Sequence, residues 1–368
     1  MTNNKTRVFG LDLMRAMAIT MVLCSHILWI YNPKDEIIKQ FFSLFGFLGV
    51  EFFFVLSGFL IGKMLYSIYI KDDYTIKSAF YFLRRRWFRT LPNYYLVLLL
   101  NILIAFFLGF SIENIGSYFF FLQNFSSKSP DFFPESWSLS IEEFTYLLLP
   151  FSLFFVGLNT VKNKAKLFLL VILALILVFW MNKFYYHSQH KISNLSEWNS
   201  SLKSVLIYRI DAISIGVLAA WFSFNFDFIW KKSKAFFAVI GFGILFFLMF
   251  GIIPFNLTIE QNPFFWNVLY LPITSVAFAF LLPFFSEWKS FLNPLSNPVE
   301  LISKISYSVY LLHYSIILQL LKFFMDTSQM SITERHFFTL IYLTITFLLY
   351  YILYRFYEKP MMNLRDKR

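Results

Sequence analysis

Ten apolar segments of 18 to 25 residues recur along this chain and decide what it can fold into. About 20 apolar residues in a helix cross the hydrocarbon core of a bilayer. Only 14% of the 368 residues are charged, whereas soluble domains average about 25%. Since spanning segments must satisfy their own backbone hydrogen bonds, they are predicted to be helices. They lie at residues 11–31, 41–65, 91–110, 141–158, 167–186, 204–223, 235–253, 265–285, 305–324 and 337–356.

The basic residues are distributed unevenly between the two ends of these segments. When the N-terminus is placed inside and the spans alternate, 23 of the 32 Lys and Arg residues fall on the cytoplasmic side. This positive-inside bias predicts that both termini are cytoplasmic. The net charge of +11 therefore reflects topology and contact with anionic membrane lipids, and nucleic acid is not an expected partner.

The remaining stretches leave no room for a separate soluble domain. The longest polar ones, residues 67–90, 111–140 and 187–203, are too short to bury a core of their own. We therefore expect one all-α polytopic domain over residues 1–368 of about ten helices, in the inner (cytoplasmic) membrane. The apolar stretch Ile115–Leu122 is too short to cross and is predicted to be re-entrant or interfacial. The single cysteine, Cys24, and the absence of histidine pairs at metal-ligand spacing predict that no metal is bound.

Two ionisable residues, Arg15 and His26, lie inside the first apolar segment. Such residues are costly at membrane depth and usually face a protein interior or a water-filled cavity. Eleven residues at 3.6 per turn return to nearly the same helix face, about 16 Å along the axis. One face would thus carry a cation near one membrane surface and a titratable base deeper in the membrane.

An arginine cluster, Arg84-Arg85-Arg86-Trp87-Phe88-Arg89, separates the second and third segments. Arg86 and Arg89 share a face if this stretch is helical. Their guanidinium groups suit bidentate binding of phosphate, which favours a nucleotide-containing donor on the cytoplasmic side. The alternative is a topological anchor without a ligand.

A carboxylate, Glu51, lies inside the second segment and needs a partner, for which Arg15, His26 and Arg86 are the candidates. The neighbouring Ser57 and Gly58 are predicted to permit close helix packing rather than to supply a nucleophile.

The segment Trp137-Ser138-Leu139-Ser140-Ile141-Glu142-Glu143 opens the fourth span on the predicted outer side. Ser140 and Glu143 have the spacing of a capping box, which leaves Glu142 as the candidate for orienting an acceptor. Further along the chain, Arg209 and Asp211 mark the sixth span as functional or specially paired. His313 in the ninth span is predicted either to support the site or to pack through a hydrogen bond.

Taken together, these segments resemble the membrane-bound acyltransferase-3 family. Arg15 and His26 resemble its R-x10-H motif, Gly49 to Leu60 its second signature, and Arg86-x-x-Arg89 followed by Pro92 its arginine motif. Trp137-Ser138-Leu139 with Glu142 resembles the family's W-S-L-x-x-E element. Three later segments, Tyr208 to Ala212, Ser306 to His313 and Tyr357 to Pro360, resemble the family's later motifs. The resemblance therefore covers nearly the whole chain, with the motifs in the same order.

The resemblance implies a ten-span enzyme that moves an acyl group, usually acetyl from acetyl-CoA, onto a carbohydrate hydroxyl. It implies the stand-alone type without an SGNH hydrolase-like domain. Under this reading His26 is the base or acyl relay, Arg15, Arg85, Arg86 and Arg89 hold the CoA donor, and Glu142 serves the acceptor from outside. A histidine with its ordinary pKa near 6.5 suits this proton chemistry. The supporting residues would be Glu51, Trp137, Ser138, Arg209, Asp211 and His313.

Two other classes of protein compete with this interpretation. A transporter or exporter of a polar solute or lipid-linked sugar also has many spans and buried charges, although the chain lacks the repeats or paired broken helices common in transporters. A non-catalytic scaffold would explain the helices but not the buried ionisable residues. The sequence leaves open the acceptor, the length of the acyl group, the oligomeric state, and whether transfer is direct or passes through an acyl-His26 intermediate.

Overall fold

The computed structural model of the protein describes residues 7–33, 35–71, 73–128, 131–157, 163–190, 194–252, 254–292, 294 and 296–364. Within these ranges the chain forms helices and loops and has no strand. The α-helices are α1 (Phe9–Tyr31), α2 (Glu36–Lys71), α3 (Ile76–Leu108), α4 (Ile115–Phe119), α5 (Ser136–Val156), α6 (Lys164–Gln189), α7 (Leu195–Trp198), α8 (Ile210–Asn225), α9 (Asp227–Lys232), α10 (Lys234–Phe246), α11 (Leu271–Glu287), α12 (Ser296–Leu312), α13 (Gln319–Phe324), α14 (Ile332–Leu353) and α15 (Lys359–Leu364).

Several spans are continued by π-helical turns, which widen the helix without ending it. Phe247–Gly251 extends α10, Phe265–Tyr270 precedes α11, His313–Leu318 joins α12 to α13, and Tyr354–Glu358 joins α14 to α15. The described part of the chain then has nine helices long and apolar enough to cross a membrane. The prediction of an all-α polytopic membrane protein is confirmed.

About ten spans were expected, and nine long helices are observed in the described residues; the difference arises at the sixth predicted segment. Its helix, α8, has only 16 residues and begins at Ile210, not at residue 204. The preceding residues instead form short turns, in which the amides of Leu206 and Ile207 donate to the carbonyls of Asn124 and Phe125. The backbone of these residues is thus satisfied by another loop, and the helix begins only after them.

The helices that carry the arginine cluster and the Trp137 segment begin earlier than predicted. Thr75 caps α3 in a capping box with Ser78, so the arginines lie within a helix and not in a loop. The condition under which Arg86 and Arg89 were expected to share a face, that this stretch is helical, is therefore met. Similarly α5 begins at Ser136, five residues before the predicted start.

The helices α2 and α8 approach each other closely through two glycines. A Cβ on Gly58 would lie 2.0 Å from the carbonyl oxygen of Ile213, and one on Gly216 would lie 2.1 Å from that of Val55. Only glycine fits at such a contact, so the prediction that Gly58 serves close packing is confirmed.

The outer surface of the bundle is apolar, as in the face of α6 that exposes Leu170, Leu177 and Met181. Such a belt suits contact with lipid chains. The side on which each loop lies remains a prediction. Seven of the basic residues used for it lie outside the described residues: Lys5, Lys162, Arg365, Lys367 and Arg368 of the predicted cytoplasmic side, and Lys34 and Lys191 of the predicted outer side.

Candidate active site

A basic cavity of about 880 Å³ opens where α1 and α3 begin and α2 ends. This is the predicted cytoplasmic side. Every charged residue that lines it is a cation: Arg15, Lys63, Lys71, Lys77, Arg85, Arg86 and Arg89. Such a concentration of one charge raises the local concentration of anionic ligands. We call this space the basic cavity.

A narrower inner cavity of about 90 Å³ continues from the basic cavity into the bundle. The two share Arg15, Leu60, Arg86 and Arg89 among their walls. Its deeper walls bring together hydroxyl groups and one carboxylate: Ser57, Thr90, Ser138, Glu142, Tyr146, Ser306, Tyr307 and Tyr310. The arginines therefore stand at the junction of a wide charged space and a narrow one.

Arg15 is fixed at this junction by Asp12, one turn earlier on α1. The Nη1 group of Arg15 donates to Oδ1 of Asp12 at 3.0 Å. Asp12 also receives hydrogen bonds from Arg7 at 2.6 Å and from Ser303 at 2.7 Å. Arg86, by contrast, leaves its buried Nε without a hydrogen-bond partner among the described residues. The Arg86 guanidinium thus retains donors for an anionic ligand.

Glu142 lies in the inner cavity beside the arginines. The hydroxyl of Tyr146 donates to Oε2 of Glu142 at 2.8 Å, and the Ser57 hydroxyl lies 2.8 Å from that of Tyr146. The expectation that Glu142 lies across the membrane from Arg86 and Arg89 is wrong. Because α5 begins at Ser136 and α3 at Ile76, both sets of residues lie well inside their helices. The acceptor role of Glu142 is not tested by its position.

The capping box predicted for Ser140 and Glu143 is also absent, because both residues lie inside α5. Glu143 is buried and instead accepts a hydrogen bond of 2.6 Å from Thr90 on α3. Ser140 accepts one of 2.8 Å from the side-chain amide of Gln123. These bonds tie α5 to α3 and to the loop before it.

His26 lies between two aromatic residues of the π-helical turn after α12. Its ring centroid is 4.8 Å from that of His313 and 4.4 Å from that of Tyr314. Its Nδ1 is buried without a hydrogen-bond partner among the described residues. Isolated π-helical turns often occur at functional sites, and here one turn supplies both neighbours of His26.

The second histidine, His313, has a defined tautomer. Its Nδ1 lies 2.8 Å from the carbonyl oxygen of Tyr310, which can only accept, so Nδ1 carries the proton. The other nitrogen, Nε2, is then an acceptor. Of the two alternatives predicted for His313, the structure shows the packing hydrogen bond, and its contact with the His26 ring leaves a supporting role as a prediction.

The rings of Tyr310, His313, His26 and Tyr314 lie between the inner cavity and a third cavity. Tyr310 lines the inner cavity and lies 5.9 Å from His313. Tyr314 lines an outer cavity of about 1350 Å³ formed by the end of α3, the loop after it and the turn after α12. His26 itself lines neither the inner nor the outer cavity, and lies in the ring contacts between them.

Glu51 does not pair with Arg15, His26 or Arg86, which were its predicted partners. It forms a fully buried ion pair with Arg209 and accepts a hydrogen bond of 2.9 Å from Ser275. The fold decides this pairing because α2 and α8 meet at their glycines. The Arg209 guanidinium lies 5.7 Å from the ring of Phe54, which lines the inner cavity. The pair therefore lies directly behind the cavity wall.

Asp211 pairs with Lys183 of α6, and both side chains are buried. The prediction that Arg209 and Asp211 are specially paired is confirmed. Two buried ion pairs thus fix the start of α8, and neither lines the basic cavity or the inner cavity. The landmark near the C-terminus is also structural, because Glu358 accepts hydrogen bonds from Asn93 at 2.9 Å and from Ser308.

Trp137 and Ser138 lie where the inner cavity approaches the outer one. Ser138 donates a hydrogen bond of 2.7 Å to the Tyr310 hydroxyl. The ring of Trp137 packs edge-on against Phe54 and receives the ammonium of Lys203 at 5.3 Å. Ser138 therefore positions the Tyr310 ring beside His313, and Trp137 packs against the cavity wall at Phe54.

Sequence reasoning missed two ionisable residues near His26. Lys203 was counted only as an outer loop cation, but it is held between the rings of Phe47 and Trp137, and burial lowers its pKa to about 8. Glu135 accepts a hydrogen bond of 2.7 Å from the amide of Ser315, and burial raises its pKa to about 7. Glu135 is next to the Trp137 element in sequence, whereas only the fold could reveal the place of Lys203.

These features define a polytopic α-helical membrane protein whose ionisable residues converge on connected interior spaces. The acyltransferase domain of the acyltransferase-3 family matches residues 8–355. The chain belongs to this family. No solved structure matches it.

Relatives with curated names extend over nearly the whole chain. A peptidoglycan O-acetyltransferase OatA of Listeria monocytogenes is 26% identical over 387 residues, which cover 96% of this chain and 55% of that protein. An O-acetyltransferase OatA of Staphylococcus aureus is 28% identical over 378 residues, covering 96% of this chain and 57% of that protein. A protein named as a putative peptidoglycan O-acetyltransferase YrhL of Bacillus subtilis is 29% identical over 184 residues, 45% of this chain and 26% of the relative. The chain thus spans a little over half the length of the two OatA relatives.

Proposed function

We propose that this protein transfers an acyl group, in the first instance acetyl, from acyl-CoA to a hydroxyl of a cell-envelope carbohydrate. The observation that carries the proposal is the basic cavity, whose charged wall consists entirely of Lys and Arg. Coenzyme A carries several phosphate charges, and arginine forks bind phosphate in a bidentate way. The narrower inner cavity would then receive the thin acyl-bearing arm of the donor.

His26 would handle the proton of the acceptor hydroxyl. The hydroxyl oxygen bonds to the acyl carbon, the thioester C–S bond breaks, and His26 accepts the hydroxyl proton and passes it to the leaving thiolate. In the relay version, a nitrogen of His26 bonds to the acyl carbon, the C–S bond breaks and the thiolate leaves with the imidazole proton. The acceptor hydroxyl oxygen then bonds to the acyl carbon, the bond to His26 breaks, and the ring nitrogen takes the hydroxyl proton. His313, whose Nδ1 proton is held by Tyr310, would position the His26 ring in either version.

The relatives support a carbohydrate acceptor. The Listeria and Staphylococcus proteins are named O-acetyltransferases, and the former is named for peptidoglycan. We extend this to the present chain as part of the proposal, with acetyl as the group and a cell-wall glycan as the acceptor. The predicted position in the cytoplasmic membrane would place the donor inside and the acceptor outside.

The test is a transfer assay with the full chain purified in detergent or nanodiscs. Radiolabelled acetyl-CoA and a soluble oligosaccharide of N-acetylated amino sugars are supplied, and labelled sugar is counted. We expect transfer that depends on both reactants and is lost in His26→Ala. Uptake of an oligosaccharide into proteoliposomes without acetyl-CoA, together with no labelled product, would overturn the proposal in favour of a transporter.

A further inference from the structure

The outer cavity differs from the other two in chemistry, and its position suggests a second ligand. It is about 1350 Å³ in volume and lies at the opposite end of α3 from the basic cavity. Its walls are the last turns of α3, the loop around α4, and the turn and helix that follow α12. A space of this size can hold more than one ring of an extended ligand.

The lining of the outer cavity is polar and nearly balanced in charge. Four side-chain amides line it, those of Asn101, Asn114, Gln123 and Gln319. The charged residues are two acids, Glu113 and Asp131, and two bases, Lys128 and Lys322. Amides provide both donors and acceptors, which match the hydroxyl and acetamido groups of a sugar chain. This wall has no excess of either charge to attract a highly anionic ligand.

Gln123 presents an unused acceptor to this cavity. Its side-chain NH₂ group donates to the Ser136 and Ser140 hydroxyls at 3.1 and 2.8 Å, which fixes the orientation of the amide. The other end, Oε1, is buried without a partner among the described residues, and the side chain is only 4% exposed. An unpaired buried acceptor costs free energy that a ligand hydroxyl would recover.

Tyr314 connects the outer cavity to the candidate catalytic histidine. Its ring lines the cavity, and its centroid is 4.4 Å from that of His26. Ser315, the next residue, also lines the cavity, and its backbone amide is held by Glu135. A ligand in contact with Tyr314 would therefore be adjacent to the His26 ring.

We propose that the outer cavity is the acceptor site and that it takes an uncharged or zwitterionic stretch of glycan. The Gln123 carbonyl accepts a hydrogen bond from a sugar hydroxyl, and an adjacent sugar contacts Tyr314, whose ring is the part of the cavity wall that contacts His26. The inference rests on the proposed acyl transfer and adds to it the place and the chemistry of acceptor recognition.

The first experiment measures kinetics for two cavity variants of the full chain, Gln123→Leu and Gln319→Leu. The probe is the same soluble N-acetylated amino-sugar oligosaccharide. Loss of one hydrogen bond should raise its KM about tenfold in each. The dissociation constant for acetyl-CoA should stay within about twofold of the parent value, since the basic cavity is untouched. The matched control is Gln261→Leu, at an exposed position outside the cavity lining.

The second experiment keeps the inference testable if Gln123→Leu folds poorly. Ser127, on the exposed wall of the outer cavity, is changed to Cys in a Cys24→Ser background and modified with a bulky membrane-impermeant maleimide. We expect the oligosaccharide to slow the modification at least severalfold and acetyl-CoA to leave its rate unchanged.

The outcomes separate this inference from the proposed function. Protection by the oligosaccharide without any acetyl transfer would retain the site and overturn the acyltransferase assignment. Transfer with an unchanged KM in both cavity variants and no protection of Ser127→Cys would overturn the acceptor site and retain the enzyme.

Discussion

The basic cavity and the outer cavity occupy opposite ends of the bundle and differ in charge. Seven cations and no acid line the first, whereas two acids and two lysines line the second among several amides. The positive potential of the basic cavity attracts phosphate-bearing ligands at long range, whereas the amides of the outer cavity recognise a ligand through short-range hydrogen bonds. Under the proposed function, this difference would let the protein receive two chemically different ligands at its two ends.

The region between them explains how the two ligands could meet. The inner cavity is about 90 Å³, which is small beside its neighbours, and the His26 and His313 rings separate it from the outer cavity. A narrow connection excludes bulk water, which would otherwise compete with an acceptor hydroxyl. The predictions below test this division of the molecule, beginning with the connection itself.

His26→Ala should abolish acyl transfer, because the base or relay between the two cavities is lost. General acid–base catalysis typically supplies a factor of about 10² to 10⁴. The assay is turnover of labelled acetyl-CoA with oligosaccharide, and folding is checked by size-exclusion chromatography. His190→Ala, which alters a ring stacked on Tyr186 at the end of α6, is the control and should retain activity. Substantial transfer by a folded His26→Ala protein would remove the histidine from the mechanism.

Cysteine labelling should distinguish the two faces in an all-or-none way. In a Cys24→Ser background, a cysteine at Lys128 of the outer cavity should react with an impermeant reagent on intact cells. One at Lys232, at the end of α9, should react only after lysis. The reverse pattern would place the basic cavity outside and exclude cytoplasmic acyl-CoA as its ligand.

Arg86→Ala and Arg89→Ala should each weaken acyl-CoA binding by roughly 10- to 100-fold, since charge-assisted hydrogen bonds to phosphate are lost. Lysine at either position should restore only part of the affinity, because an ammonium group cannot form a bidentate fork. Isothermal titration with acetyl-CoA measures the effect. The control is Arg355→Ala, an exposed arginine of the last π-helical turn. Equal affinities in parent and cavity variants would make these arginines topological anchors.

Glu142→Gln should lower turnover while tightening acyl-CoA binding by roughly two- to fivefold, because a negative charge near Arg86 is removed. The side chain keeps its size and can still accept from Tyr146. Turnover and titration are measured on the same preparation, with Glu300→Gln as a control beside Arg7. Unchanged donor affinity with reduced turnover would instead favour an acceptor role for Glu142.

The last prediction concerns stability and not binding, through Glu135, whose pKa is raised by burial from 4.5 to about 7. A carboxyl that holds its proton more tightly when folded stabilises the fold below pH 4.5, and this contribution disappears as the pH rises through 7. Glu135→Gln can still accept from the Ser315 amide but does not titrate. The variant should therefore gain at most about 3 kcal/mol relative to the parent between pH 4 and pH 8. Thermal unfolding in detergent across this range measures it, and parallel curves would contradict the assignment.

The sequence by itself determined the class of fold and drew attention to several of the residues that line the cavities. Segment length and hydropathy were enough for a polytopic helical protein, because each span satisfies its own backbone hydrogen bonds. The spacing of Arg86 and Arg89 predicted a shared face for any helix through them, since that geometry is local. Arg15 and His26 were identified as candidate site residues because an ionisable residue within an apolar segment is costly and usually has a function.

Only the tertiary structure decided which buried groups meet. Glu51 pairs with Arg209 because two glycines bring α2 against α8, a contact between residues 158 positions apart in the chain. His26 lies beside His313 because α1 packs against the turn after α12. Glu142 lies beside the arginines because α3 and α5 begin several residues earlier than predicted, and helix starts depend on caps and on contacts with loops. Packing between distant segments sets such partners, and no local pattern along the chain encodes them.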